Sequence, residues 1–331
     1  MGGKPVFFQD SRVINMESGF DKKLLCDGPT FTAGTACVYS CAFCYVPAIM
    51  RKLMKDKFDQ QHSEIVVRRS RAVEVMRGQL LNAKGQPKFL DPNDRRIIFA
   101  SPLVDVAANM ELVKETIELC KLILTHTHWQ IRLLSKSNLL PKIAQALDEW
   151  DSSWMDVRMR AGAKPFEAKK RIIYGVSTGT LDDGIAKAFE IGCPLVSKRI
   201  ESLHWLQDNG FRTFGMICPS LPQTNPAKFA RDMYQAIRGA KCEHVWAEVI
   251  NVRGESFSNT HDALFCAGYK AEAEALLKVS SDRNDWECYA RETFLAHAEL
   301  YAPGQLRFLQ YVSDKNRDWW TTQQARGAVL L

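Results

Sequence analysis

The feature that most limits how this chain can fold is a loop that carries three cysteines within eight positions. The run from Thr35 to Pro47 contains Cys37, Cys41 and Cys44, separated by three and then two residues. Thiolates at this spacing can face one small metal cluster, and they are soft ligands that suit iron–sulfur clusters or zinc. A closed zinc site needs a fourth ligand, and the next Cys or His is His62. On a four-iron cluster, three ligands would leave one iron open to a substrate or cofactor. A zinc site and three unrelated buried cysteines are the alternatives.

Composition indicates an ordinary globular protein with a sizeable core. The chain has 331 residues, of which 46% are hydrophobic and 25% charged. No apolar run approaches the roughly 18–20 residues that span a bilayer, and the first residues lack the apolar region of a signal peptide. Ten cysteines without such a signal favour a reducing compartment. We therefore expect a cytoplasmic protein without a membrane segment.

The net charge of +6 permits a polyanionic partner without requiring one. Basic residues cluster in three segments, Arg51–Lys57, Arg68–Arg77 and Arg158–Arg171. Each cluster is either a solvated helix face or a phosphate-binding surface, and the sequence alone leaves both interpretations open.

Short β-branched runs alternate with amphipathic helical patterns along most of the chain, which predicts parallel βα units. The predicted strands are Phe31–Thr35, Arg96–Ala100, Trp129–Leu134, Arg171–Val176, Phe211–Ile217 and His244–Ile250. Six such units predict an α/β fold, a partial (β/α)6 TIM-type barrel with parallel strands. We divide the chain into an N-terminal lead-in (1–30), this core (31–254) and a mainly helical C-terminal extension (255–331), and we interpret residues 151–170 as an insertion.

Polar residues follow the predicted strands at their carboxyl ends, where barrels of this kind carry their chemistry. Small hydroxyl groups, one Lys and one carboxamide suit a ligand with a ribose, a carboxylate and an amine. Ser and Thr at strand ends often only cap helices, and that interpretation remains for each of them. The residues are Ser101, Ser135, Lys136, Ser137, Ser177, Thr178, Cys218, Glu248 and Asn251.

The cysteine spacing, with Phe43 before the last Cys and Tyr45 after it, resembles the signature loop of radical S-adenosylmethionine (SAM) enzymes. Further runs resemble the spore photoproduct lyase and DNA repair photolyase-like branch of that superfamily over roughly residues 30–250. These runs are Ser135–Ser137, Ser177–Asp182, Glu190–Arg199 and Pro219–Pro222.

The resemblance implies a cofactor pair: Cys37, Cys41 and Cys44 bind a [4Fe–4S] cluster, and SAM chelates its fourth iron. It also implies that Tyr45 packs beside SAM. Its other implied SAM contacts are Ser101, Lys136 and Ser177 at the ribose or methionine end and Arg199 at the carboxylate.

One departure from that branch concerns the final hydrogen donor. Spore photoproduct lyases carry a donor Cys in the loop after strand two, and here that loop, Phe99–Asp105, contains none. Cys218, at the end of predicted strand five, is the candidate catalytic thiol in its place, and the alternative is a small buried hydrophobic residue.

The predicted function is that of a radical SAM enzyme. A one-electron reductant of the flavodoxin or ferredoxin type would reduce the cluster, SAM would be cleaved reductively, and the 5′-deoxyadenosyl radical would abstract hydrogen from an organic substrate. A small molecule, a peptide and a nucleic-acid lesion all remain open as substrates. The alternative is a non-enzymatic iron–sulfur or zinc protein that binds nucleic acid.

Overall fold

The computed structural model describes residues 6–49, 66–100, 102–251 and 255–331. Its contacts divide the chain into two compact units. The first unit comprises Met1–Val38, Val46–Gly175 and Trp205–Arg212, and the second comprises Tyr39–Tyr45, Val176–His204 and Thr213–Leu331.

The first unit contains two groups of strands. In the small sheet, with the order β1-β5-β4, β5 is parallel to β1 and antiparallel to β4. The other strands follow the order β2-β3-β6-β7-β8, in which β3, β6 and β7 are parallel and β2 is antiparallel. The strands are β1 (Val6–Gln9), β2 (Ile14–Asn15), β3 (Thr30–Phe31), β4 (Gly34–Ala36), β5 (Val66–Arg69), β6 (Ile97–Ala100), β7 (Gln130–Ser135) and β8 (Ile172–Ser177), whose last two residues belong to the second unit.

Among the described residues, these strands are accompanied by the helices α1 (Ala72–Leu80), α2 (Met110–His126), α3 (Leu140–Arg160) and α4 (Ala168–Arg171). The helix α2 begins where the Asn109 side chain accepts a hydrogen bond from the backbone nitrogen of Leu112. Five apolar residues lie at helical spacing along it: Val113, Cys120 and Leu124 are buried, Ile117 is half-buried and Met110 is 41% exposed.

The helix α3 continues through the first half of the predicted insertion 151–170, as far as Arg160. The turns beyond Asp151 are mostly exposed, and their apolar residues, Trp154, Met155 and Val157, stand among polar and charged ones. The buried Asp151 carboxylate accepts hydrogen bonds from the backbone nitrogens of Phe166 and Ala168 and thereby fixes the return of the chain.

The second unit has the strand order β8-β9-β10-β11-β12, and each pair from β9 onwards is parallel. Its strands are β9 (Arg212–Ser220), β10 (His244–Val249), β11 (Leu306–Gln310) and β12 (Ala328–Leu330). Its helices are α5 (Asp183–Phe189), α6 (Val196–Asp208, ending in the first unit), α7 (Pro226–Ala236), α8 (Glu255–Cys266), α9 (Lys270–Ser280), α10 (Arg283–Ala298) and α11 (Arg317–Thr322), with short 3-10 turns at Gly239–Lys241, Asp314–Asn316 and Gln324–Arg326.

The predicted α/β fold with parallel strands is confirmed, and the last five predicted strands correspond to β6–β10. The first predicted strand, Phe31–Thr35, is instead divided between β3 and β4. A Cβ atom at Gly34 would lie 2.2 Å from the carbonyl oxygen of Val67, so this close approach of β4 to β5 requires glycine. Among the described residues, neither β2 nor β12 pairs with a further strand, and the strand order is therefore open.

The C-terminal segment is mainly helical, as expected, but it also adds the strands β11 and β12, which the sequence did not predict. Its helix α10 holds the carboxyl ends of two strands: the Tyr289 hydroxyl donates to the carbonyl of Ser220, and the Trp286 indole donates to that of Ile250 over 2.9 Å. Trp320 is buried and its indole nitrogen donates to Glu287 over 3.0 Å, so it belongs to the core. Within the described residues, none of the helices is long and apolar enough to cross a bilayer.

Candidate cofactor and active site

The second half of the cysteine loop is a tight turn anchored by its neighbours. The backbone nitrogen of Cys44 donates to the carbonyl of Cys41 over 3.0 Å, and Ser40 before the turn has a left-handed φ of 53°. Phe43 packs edge-to-face on Phe189, with ring centroids 5.7 Å apart. The turn therefore keeps Cys41 and Cys44 at the protein surface on a fixed backbone.

The chemistry of the cysteines fits an iron–sulfur cluster. Cys37, Cys41 and Cys44 are half-buried, and all ten cysteines of the chain are thiols. In the described part of the chain, no three Cys, His, Asp or Glu side chains gather closely enough to bind a single metal ion. A four-iron cluster does not need such convergence, because each thiolate binds a different iron atom.

A buried ion pair fixes the segment that faces this turn in the second unit. Arg199 and Glu190 are each 1% exposed, with nitrogen and carboxylate oxygen 2.5 Å apart. Arg199 also donates to the carbonyls of Pro194 and Ser177, over 2.9 and 3.2 Å. Burial by itself lowers the pKa of Arg199, but the Glu190 carboxylate outweighs it and the net shift is upward. A carboxylate ligand would therefore have to compete with Glu190 for this guanidinium.

The same segment brings a fourth thiol to the cysteine turn. The Cys193 sulfur lies 3.5 Å from the Cys41 sulfur, and Cys193 is only 5% exposed. The sequence did not single out Cys193, because 152 positions separate the two residues and no spacing rule connects them.

A second group of candidate side chains lies in the last residues of β8, β9 and β10. The Cys218 sulfur donates to the Glu248 carboxylate over 3.6 Å, and the Ser177 hydroxyl donates to the Cys218 carbonyl over 3.3 Å. The pKa of Tyr45 is raised, first by burial of its hydroxyl group and then by the charges of Cys44 and Glu248. The residue as a whole is 45% exposed.

In the first unit, the Asp105 carboxylate fixes the turn that carries Lys136. It accepts hydrogen bonds from the Lys136 backbone nitrogen and the Ser135 hydroxyl, each over 2.7 Å, and from the Ala107 nitrogen over 2.9 Å. Burial raises the pKa of Asp105 despite these donors. The sequence analysis did not identify Asp105, although its position shortly after the end of a predicted strand could have marked it as a candidate site residue.

Several sequence-based assignments have simpler structural explanations. The Ser135 and Ser137 hydroxyls accept from the backbone nitrogens of Ser137 and Leu139, as turn-capping serines do. Arg171 was grouped with the basic surface, and this is wrong, because it is buried and donates to four backbone carbonyls. Ser101 lies outside the described residues.

The fold belongs to the parallel α/β class that the sequence predicted, and comparison with solved structures identifies related folds. Spore photoproduct lyase complexed with dinucleoside spore photoproduct matches with a TM-score of 0.56 and 8% identity, over 93% of this chain and 82% of that chain. A variant of that enzyme with bound AdoMet and the dinucleoside spore photoproduct matches with a TM-score of 0.53 and 9% identity, over 86% and 77%. No family model and no curated protein matches the sequence.

The chain therefore has the fold of spore photoproduct lyase. This confirms at the level of the fold the resemblance carried by the cysteine motif. At 8–9% identity the likeness establishes the architecture, and the chemistry has to be argued from this chain's own residues.

Proposed function

We propose that this protein is a radical SAM enzyme, with Cys37, Cys41 and Cys44 as the ligands of a [4Fe–4S] cluster. The observation that carries the proposal is the Cys-x3-Cys-x2-Cys loop in a chain with the fold of an enzyme solved with AdoMet bound. When bound, the cluster and SAM supply reductive cleavage of SAM to methionine and a 5′-deoxyadenosyl radical, which abstracts hydrogen from substrate.

The chain's own residues would bind and orient SAM. Lys136 offers three donors and no acceptor, which suits a carboxylate or a ribose oxygen, and Asp105 holds the turn that carries it. The half-exposed ring of Tyr45, next to a cluster ligand, would pack against the cofactor. The remaining contacts in this proposal are Ser101, Ser177 and Arg199, of which Arg199 would act beside its partner Glu190.

Cys218 is our candidate for the final hydrogen donor. Its S–H group would give a hydrogen atom to the substrate radical and leave a sulfur radical behind. An electron from the reductant and a proton would restore the thiol. Glu248, with a carboxylate oxygen 3.6 Å from the sulfur, is close enough to carry that proton. The half-buried setting of Cys218 leaves room for a reacting group, whereas a thiol that only packs would need none.

For the substrate, we favour a nucleic-acid lesion. The solved neighbours hold a dinucleoside spore photoproduct, and this chain has a net charge of +6. Arg158 and Arg160, at the exposed end of α3, are candidates for phosphate contact. A small molecule or peptide is the alternative substrate class. A flavodoxin- or ferredoxin-type reductant and a cytoplasmic location complete the proposal.

Anaerobic reconstitution tests the cofactor assignment. The wild-type chain should bind about four irons, as expected for one [4Fe–4S] cluster, and its absorbance spectrum should change when SAM is added. Cys44→Ala should lose iron, whereas Cys266→Ala, which changes an exposed thiol outside the loop, should not. A single bound zinc without a response to SAM would instead support the non-enzymatic alternative.

Salt dependence tests the substrate class. If the substrate is a polynucleotide, the affinity of the reconstituted chain for DNA or RNA should fall steeply between low and moderate salt through counterion release. Replacing Arg158 and Arg160 by Gln should flatten that dependence, and replacing the two exposed lysines Lys187 and Lys198 should not if the end of α3 is the contact surface. Failure to retain any DNA or RNA at low salt would favour the small-molecule or peptide substrate.

A further inference from the structure

We propose that Cys41 and Cys193 are a redox-active thiol pair that forms a disulfide when the chain has no cluster. Their sulfur atoms are 3.5 Å apart, within contact distance. A disulfide bond is about 2.05 Å long, so small side-chain rotations would bring the atoms to bonding distance. Neither residue is in a disulfide in this structure.

The backbones on both sides of the pair are already joined, so bond formation needs no rearrangement of the fold. The nitrogen of Ala42, next to Cys41, donates to the carbonyl of Phe189 over 2.8 Å. The nitrogen of Gly192, next to Cys193, donates to the carbonyl of Tyr39 over 3.0 Å. These two hydrogen bonds hold the segments 39–42 and 189–193 in fixed register around the two thiols.

Close packing at Gly192 strengthens this register. A Cβ atom there would lie 2.7 Å from the Tyr39 carbonyl oxygen and 2.8 Å from its Cα, so only glycine allows the two backbones to approach this closely. The ion pair between Arg199 and Glu190 fixes the far end of the same segment. A rigid part of the second unit therefore holds Cys193 next to Cys41.

The difference in exposure sets the order of the chemical steps with glutathione disulfide as oxidant. Half-buried Cys41 is the thiol that a small disulfide can reach, and it would displace one glutathione thiolate to give a mixed disulfide. Cys193, which is 5% exposed, would then attack the Cys41 sulfur and release the second glutathione. The two protein thiols lose two protons and two electrons, and one glutathione disulfide becomes two glutathiones.

The consequence for the cofactor rests on the proposed function. If Cys41 is a cluster ligand, the disulfide withdraws one of three ligands and blocks cluster assembly until a thiol reductant reopens it. Oxidation at this pair would be reversible, and it would protect Cys41 from irreversible oxidation to sulfinic or sulfonic acid.

Mass spectrometry of the cluster-free chain tests the pair directly. The reduced full-length chain is equilibrated with buffers of increasing glutathione disulfide to glutathione ratio, alkylated, and digested without reduction. A peptide linking Cys41 to Cys193 should become the main form of Cys41 as the ratio rises, and it should disappear after dithiothreitol. Cys193→Ser should abolish the link, with Cys193→Ala as a second variant if folding is impaired. Cys120→Ser, at a buried thiol remote in sequence, should retain it.

Recovery of Cys41 as the alkylated thiol, as a persistent glutathione adduct, or linked to Cys37 or Cys44 across the whole series would overturn the inference. Iron uptake by the oxidised chain separates this result from the proposed function. A link that forms without reducing iron uptake would leave the disulfide standing and contradict Cys41 as a cluster ligand. Normal iron uptake without any link would contradict only the disulfide.

Discussion

The buried pair of Arg199 and Glu190 allows a quantitative prediction. Both side chains are 1% exposed, so replacing Glu190 by Gln leaves a guanidinium charge in the interior without its counter-charge. Removing one partner of such a pair costs about 3–5 kcal/mol of unfolding free energy. We expect Glu190→Gln and Arg199→Met each to fall in this range.

The double variant Glu190→Gln/Arg199→Met should be far less destabilised than the sum of these two single changes. It removes both charges, and what remains is the loss of donors to the carbonyls of Pro194 and Ser177. At about 1 kcal/mol for each hydrogen bond, the double variant should lose about 2 kcal/mol. The coupling between the two sites is then several kcal/mol.

Urea unfolding of the cluster-free chain, followed by circular dichroism and tryptophan fluorescence, measures these differences. The pair Lys198 and Glu201 on the same helix α6 is a matched control, with a separation of 2.8 Å and both side chains more than half exposed. Glu201→Gln should cost less than about 1 kcal/mol. A loss for Glu190→Gln no larger than that of Glu201→Gln, or additive single changes, would show that the two buried charges are not coupled.

Three further predictions concern single side chains. Lys136→Ala should weaken SAM binding by about 1.5–3 kcal/mol in a titration of the reconstituted chain, whereas the control Lys142→Ala, at an exposed lysine, should not. Equal dissociation constants for SAM in the wild-type and Lys136→Ala chains would contradict a SAM contact. Cys218→Ala should still form 5′-deoxyadenosine, but it should make less of the normal product from the substrate or a different product. Cys242→Ala, at a buried thiol, is the control. A normal product yield from Cys218→Ala would contradict Cys218 as the hydrogen donor. Burial lowers the pKa of His297 from 6.5 to about 4, so its neutral form stabilises the fold above pH 6.5 and this stability is lost as the pH falls towards 4. The wild-type chain should lose about 3 kcal/mol more than His297→Phe over that interval, and parallel pH profiles would contradict it.

The periodic core of the fold was predictable, because buried parallel strands leave short β-branched runs in the sequence. The strands β6–β10 follow such runs, and three of the five apolar residues at helical spacing in α2, Val113, Cys120 and Leu124, are buried. The strands β11 and β12 were missed because they follow three helices at irregular spacing, and β12 is only three residues long. The exposed end of α3 was missed because its apolar residues stand among polar and charged ones and the segment runs into Gly162 and Pro165.

The candidate site divides in the same way. The cysteine loop is a local motif, so spacing alone identified it. Cys193 and Glu190 become neighbours of their partners only through folding, and no local pattern connects Cys41 with a residue 152 positions away. For Arg171 the sequence was misleading in the opposite way. It lies in a basic run and resembles a surface residue, but in the structure its guanidinium donates hydrogen bonds to backbone carbonyls of neighbouring segments.

The most direct test of the central claim is the formation of 5′-deoxyadenosine. The anaerobically reconstituted chain is incubated with SAM and dithionite, and the products are quantified by liquid chromatography and mass spectrometry. We expect 5′-deoxyadenosine and methionine from the wild-type chain and from Cys266→Ala, and none above background from Cys37→Ala, Cys41→Ala or Cys44→Ala. Intact SAM after incubation with a wild-type chain that carries its full iron complement, or cleavage that persists in Cys41→Ala, would contradict it.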